Sequence, residues 1–236
     1  MGDSTDPVTE SAKAAQEIAK ASGKAIDAAK AAGGFIARYV AGSLEQGIGI
    51  FEDKLRYLRW ERQLRLMKRA EEVLHSLGLE TPSRAVPLKI AIPLLQAASI
   101  EENDELQDKW VNLLVNAANS GSGIEISRAY VEILEQISPL EARILDVIYS
   151  LPFENIHHDG VVTFDLPNSA RPETKEDQTT EPPDPSDEVK LALAKLARVG
   201  CLRQGSTWGG GENFRRVNPT LLGKSFVEAC RLVKPT

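Results

Sequence analysis

The chain has 236 residues, 42% of them hydrophobic and 26% charged, and a formal net charge of -6. These values suit a globular protein of one large or two small domains, and the negative sum excludes a generic polyanion binder while leaving local basic patches open. Met1–Lys13 has no basic stretch leading into an apolar core, and no apolar run reaches the roughly 18 to 20 residues that span a bilayer, so a cytoplasmic protein is expected.

From Thr9 to Ala32 the sequence is alanine-rich with interspersed charges, which favours helix but offers little area to bury, so this helix is expected to dock loosely. Gly33-Gly34 breaks it. Gly33–Phe51 is apolar and glycine-rich, interrupted by Arg38 and Glu45, and reads as a surface-lying or partner-binding segment. A long helical pattern follows from Leu44 to Leu77, bent near Gly47 and Gly49, with Leu66, Met67, Ala70, Val73, Leu74 and Leu77 on one face and Gly78 as its stop. Pro87–Ala98 reads as a short buried helix that Pro93 should bend or restart. Ser99–Glu102 fits a capping box for the next helix. That helix places Leu106, Trp110, Leu113, Leu114 and Ala117 on one side, and Glu101, Glu105, Asp108, Asn112, Asn116 and Asn119 on the other.

Gly121-Ser122-Gly123 ends that helix, and Ser127–Ile137 is a further amphipathic one. Ser138-Pro-Leu-Glu141 is a second capping box, opening a helix over Pro139–Leu151. Val161–Leu166 predicts a short strand. Residues 167–187 are proline-rich, charged and nearly free of apolar side chains, so disorder is expected there. Ser186 or Asp187 caps a helix that ends at Gly200. Cys201–Gln204 and Asn213–Val217 can pair as a hairpin around a glycine-rich tip, and Asn218-Pro219 caps a last helix over Thr220–Val233.

The basic run Lys54–Arg69 interleaves arginine with aromatic residues, making Arg56, Arg59, Trp60 and Arg62 candidate contacts. Three roles fit it: gripping nucleic-acid phosphates and stacking bases, lying on an anionic membrane, or pairing charges with the acidic helix start at Glu101–Asp108. At helical spacing the basic residues spread around much of the circumference, which favours the last. The row Asp108, Asn112, Asn116 and Asn119 is a candidate polar groove, since asparagine is a poor helix former; a solvated face is the plainer reading. His157-His158-Asp159 reads as a turn before the strand, because adjacent histidines point different ways and no second ligand pair has suitable spacing. Cys201 and Cys230 match no ligand spacing and read as reduced thiols. No phosphate loop, Gly-x-Ser-x-Gly or His-Glu-x-x-His is present. No catalytic residue, metal or cofactor is therefore expected.

The capped helix ending LARVGCL, the hairpin and NPTLLGKSFVEAC resemble the second half of a winged helix. Basic residues outnumber acidic ones from Ser186 onward, so Lys190, Lys195, Arg198, Arg215 and Arg216 are candidate contacts to DNA or a protein partner.

The strings DKLRYLRWERQLRLMKRAEEVL, VPLKIAIPLLQAASIEENDELQDKWVNLLVNAAN and YVEILEQISPLEARILDVIY resemble the bacterial abortive-infection alpha (Abi-alpha) family, associated with phage resistance, over roughly Gly33–Ser150. The last part of the chain fits longer members with a winged-helix-like end. The resemblance implies an antiphage protein and transfers no catalytic signature. The resulting expectation is a mainly α protein with three parts: an alanine-rich helix over 1–32, a helical bundle core over 33–150, and a small α+β winged-helix-like unit over 151–236. It would act through a protein partner or a membrane surface contacted by residues 1–60. The alternative is a nucleic-acid-binding regulator using the C-terminal unit.

Overall fold

The computed structural model describes residues 38–41, 60–206 and 209–232. The alanine-rich helix over Thr9–Ala32, most of Gly33–Phe51 and the start of the long basic helix lie outside the described residues. Among the described residues the chain is mainly α, with nine α-helices and a small four-stranded antiparallel sheet toward its end.

Helix α1 (Trp60–Ser76) buries Leu66, Met67, Ala70 and Leu74, the face predicted by their spacing. Its end is a Schellman turn. Gly78 adopts φ +75°, which other residues rarely tolerate, so that Gly78 N donates to His75 O (2.9 Å) and Leu79 N to Leu74 O (3.0 Å). Helix α2 (Leu88–Ile100) runs unbroken through Pro93, where a bend or restart was expected. Proline removes the N–H that would bond Lys89 O, and Arg128 Nη1 reaches that carbonyl instead at 3.4 Å.

Ser99 does not cap the next helix. It is buried inside α2, with its Oγ donating to Gln96 O (2.8 Å). The cap of α3 (Asp104–Ala118) is Asn103, whose Oδ1 accepts from Leu106 N at 3.1 Å. Helix α3 is the axis of the bundle, bordered by α1, α2, α5 (Pro139–Ile148) and α9 (Leu221–Ala229). Trp110 is 1% exposed at its centre. A 3-10 turn (Ser120–Ser122) leads to α4 (Arg128–Gln136), capped by Ser127. The second predicted capping box is present at the start of α5: Ser138 N donates to Glu141 Oε2 (2.6 Å) and Glu141 N to Ser138 Oγ (3.4 Å).

Strand β1 (Val40–Ala41) pairs in parallel with β2 (Val86–Pro87), Val40 opposite Val86. Beside it Tyr39 is 1% exposed within the same core cluster, and Arg38 pairs with Glu71 of α1.

His157-His158-Asp159, expected as a turn, are the last residues of α6 (Phe153–Asp159), where the His157 ring stacks on Phe153. The next strand, β3, covers only Val161–Val162, because Thr163 opens a turn in which Leu166 N donates to Thr163 O. Segment 167–187, expected to be disordered, instead carries β4 (Arg171–Pro172) on the edge of β3 and a short helix, α7 (Lys175–Thr179). Thr174 and Asp177 form a capping box, and Arg171 grips Asp177 with two bonds of 2.6 and 2.7 Å. Composition alone hid this, because charge pairs and strand pairing hold the segment without a core of its own.

Helix α8 (Asp187–Arg198) is capped by Ser186 and closed by Gly200 at φ +80°. Strands β5 (Leu202–Ser206) and β6 (Glu212–Pro219) form the expected hairpin, and the sheet order is β4-β3-β6-β5. Asn218-Pro219 finish β6. The cap of α9 is Thr220, whose Oγ1 accepts from Gly223 N at 3.0 Å. Tyr149 ties this unit to the core: its hydroxyl donates to Cys201 O (2.6 Å) and accepts from Thr220 N (2.9 Å). Burial holds the phenol protonated well above its ordinary range.

Candidate functional site

The basic helix meets the acidic helix start, as its spread of charge suggested. Arg65 lies 3.6 Å and Arg69 3.8 Å from Asp104, and Arg69 reaches Asp108 at 2.6 Å. These pairs consume cations of the described part of the run internally. Arg56 and Arg59 lie outside the described residues. Trp60 and Arg62 are placed on the backbone of α1, and their side chains lie outside the description.

The asparagine row divides: Asp108 and Asn112 line a surface pocket with Lys109, Asp146 and Arg231, while Asn116 and Asn119 are buried. Asn116 is fully buried, and its Nδ2 donates to Ala229 O (2.9 Å) and Arg231 O (2.7 Å). Asn112 Nδ2 donates to Cys230 O at 3.1 Å. These carbonyls belong to the end of α9, which leaves such groups without helical partners. Asn112 and Asn116 are thus a clamp on the last helix. Asn119 sits at the far end, where its Oδ1 accepts from Gly121 N at 2.9 Å and caps the 3-10 turn. Asp108, at the near end, is held by Arg69.

The C-terminal cations come from α8 and β6, and each of the five meets a polar side chain of the same chain. Lys190 lies 3.3 Å from Asp187 and 3.5 Å from Asp184. Its hydrogen bond to Asp187 raises its pKa above the ordinary lysine value. Lys195 lies 3.2 Å from buried Glu141 of the α5 capping box, and Arg198 donates to Gln136 at 3.1 Å. Arg215 pairs with Glu181 and lies 3.1 Å from Asp184, while Arg216 lies 2.9 Å from Glu173. Three of the five, Lys190, Arg215 and Arg216, are therefore held by segment 173–187. Arg203 of β5 is exposed and has no ion-pair partner among the described residues.

Sequence reasoning missed two organising residues. Arg84 Nε donates to Ala117 O (2.8 Å), and its Nη2 to Asn116 O (2.9 Å) and Ile124 O (3.1 Å), closing the end of α3. Tyr149 pins the start of α9. A loop arginine and a helix-end tyrosine carry no local pattern that reveals such distant partners.

Among the described residues, no group of three or more His, Cys, Asp or Glu is arranged to hold a metal ion. Cys201 and Cys230 are free and buried, and burial pushes both thiols up to about 12. That disfavours the nucleophilic thiolate. No helix among the described residues is long and apolar enough to cross a membrane.

A family model described as abortive infection alpha matches residues 61–230, from the start of α1 through the end of α9. No curated protein and no solved structure matches the chain. The matched region covers well over half of the 236 residues and takes in the C-terminal unit as well as the helical core, so the chain belongs to the abortive infection alpha family.

Proposed function

We propose that this chain is a non-catalytic antiphage protein of the cytoplasm that acts by binding, presenting residues 1–60 to a protein partner or a membrane surface. The observation that carries the reading is the small latch at Arg38–Ala41. There, among the described residues, a two-residue strand on β2, the buried Tyr39 and the exposed Arg38–Glu71 ion pair join this short stretch to the core. Truncating a buried aromatic costs roughly 3–5 kcal/mol, and an exposed ion pair adds about 0.2–1 kcal/mol. A binding event that favours the released state can supply that much. Gly33–Phe51, apolar and glycine-rich, adjoins the basic run, a pattern suited to an anionic surface.

Flotation with anionic vesicles, with crosslinking to cellular protein in parallel, tests this. Tyr39→Ala should increase association, and deletion of residues 1–37, which removes the alanine-rich stretch and the start of Gly33–Phe51, should weaken it. Equal association of the full chain and the deletion, on vesicles and on protein alike, contradicts the reading.

A second reading has its own observation. Helix α6, strand β3, an insertion carrying β4 and α7, helix α8 and the β5–β6 hairpin follow one another, with β3 paired to β6 and β6 to β5, an arrangement that supports a winged-helix reading. In that reading α8 is the recognition-type helix and the unit contacts nucleic acid.

A further inference from the structure

We propose that Glu181 and Asp184 are an internal phosphate mimic, seated on a duplex-DNA backbone site formed by Lys190 of α8 and Arg215 of β6. The proposal deepens the second reading above and rests on it.

Asp184 bridges the two elements. Its Oδ2 lies 3.5 Å from Lys190 Nζ and its Oδ1 lies 3.1 Å from Arg215 Nε. Glu181 Oε2 meets Arg215 Nη1. Carboxylate oxygens from two residues thus gather on one ammonium and one guanidinium that come from a helix and a hairpin strand. Lysine and arginine in that arrangement are the usual partners of a phosphate group. Phosphate contacts of this kind fix a protein's register on a duplex.

The present occupant fits imperfectly. Arg215 Nε is buried and has no aligned hydrogen bond, although the Asp184 oxygen is near. A phosphate, with more oxygens around one centre, can align on both the Nε and Nη donors. The occupant is also replaceable, since the Glu181 side chain is 71% exposed and that of Asp184 48%. Exposed ion pairs hold weakly. Prolines at 182, 183 and 185 flank Asp184 and favour an extended backbone, so presenting the carboxylate sacrifices little chain entropy. Arg216, next along the strand, is turned to Glu173 and stays out of this seat.

The test uses the full chain with the Glu181→Gln/Asp184→Asn double substitution, and Asp184→Asn alone as a second variant. A labelled DNA duplex is followed by anisotropy at low and moderate salt. Thermal melting confirms that each variant is folded. The double variant should bind about tenfold tighter than the native chain at low salt, with the gain shrinking as salt rises. Adding Arg215→Gln should remove that gain. A charge-matched control at exposed sites, Glu105→Gln/Glu135→Gln, should leave the native affinity unchanged.

A double variant no tighter than this control overturns the mimic. So does a gain that survives Arg215→Gln, or a gain seen for polyglutamate but absent for DNA. If native and double-variant chains bind DNA equally and Arg215→Gln weakens both, DNA contact stands and the mimic falls. If neither binds, both fall.

Discussion

Asn116→Ala removes the most buried member of the clamp on α9. The native side chain gives two hydrogen bonds, to Ala229 O and Arg231 O at 2.9 and 2.7 Å. Each contributes about 0.5–1.5 kcal/mol net, and a carbonyl left buried without a donor costs about 1–3 kcal/mol. Against this, Asn116 Oδ1 is buried without a partner, so alanine relieves one existing penalty of about 1 kcal/mol. The sum is a destabilisation of about 2–3 kcal/mol. Asn116→Asp should cost more, because a carboxylate would face the same carbonyls with no hydrogen to donate. Asn112→Ala, with one bond at 3.1 Å from a half-buried site, should cost about 0.5–1.5 kcal/mol. The two substitutions should not add, since both act on the end of one helix. Urea unfolding followed by circular dichroism reads these values as shifts in midpoint at constant slope. A loss below about 0.5 kcal/mol for Asn116→Ala would refute the clamp.

Gly223→Ala should destabilise the chain by about 2–4 kcal/mol in thermal or urea unfolding, because its Cβ would stand 2.1 Å from Tyr149 Oη and 2.4 Å from Cys201 O. Tyr149→Phe in that background should recover only part of the loss, since the carbonyl remains. Alkylation by iodoacetamide at neutral pH, read by mass spectrometry, should leave Cys201 and Cys230 unmodified until the chain unfolds, in keeping with thiols pushed up to about 12 by burial. The Asp177 carboxyl is held well below the usual carboxylate range, chiefly by its hydrogen bond to Arg171. Its contribution to the order of segment 171–179 is therefore complete above the ordinary aspartate value of about 3.9 and lost as pH falls through its lower folded value. Carbon NMR of the carboxyl should give a depressed midpoint that rises in Arg171→Gln; an unchanged midpoint in that variant would contradict the assignment.

Periodicity made the bundle legible. The apolar faces of α1 and α3, the Ser138–Glu141 capping box, the α8 helix and the β5–β6 hairpin all follow from local spacing and cap chemistry. The expectations that departed from the structure depended largely on partners distant in sequence. Ser99 looks like a cap until Asn103 takes that place. The asparagine row looks like a surface until α9 ends upon it more than 110 residues later. Segment 167–187 looks disordered because it has no apolar core, and its order comes from the Arg171–Asp177 pair within it and from β3, Arg215 and Arg216 outside it. The candidate contacts of α8 and β6 were legible as residues, but their pairing with carboxylates of the same chain was not, because charge composition carries no geometry.

The most direct test of the account is phage challenge of cells expressing the full chain, a chain lacking residues 1–37, and Tyr39→Ala. The full chain should reduce plaque formation and the truncated chain should protect less, although it retains the cooperative unfolding of the core. Tyr39→Ala should alter the strength or timing of protection. Full protection by the truncated chain would contradict the claim that the protein acts through its N-terminal segment.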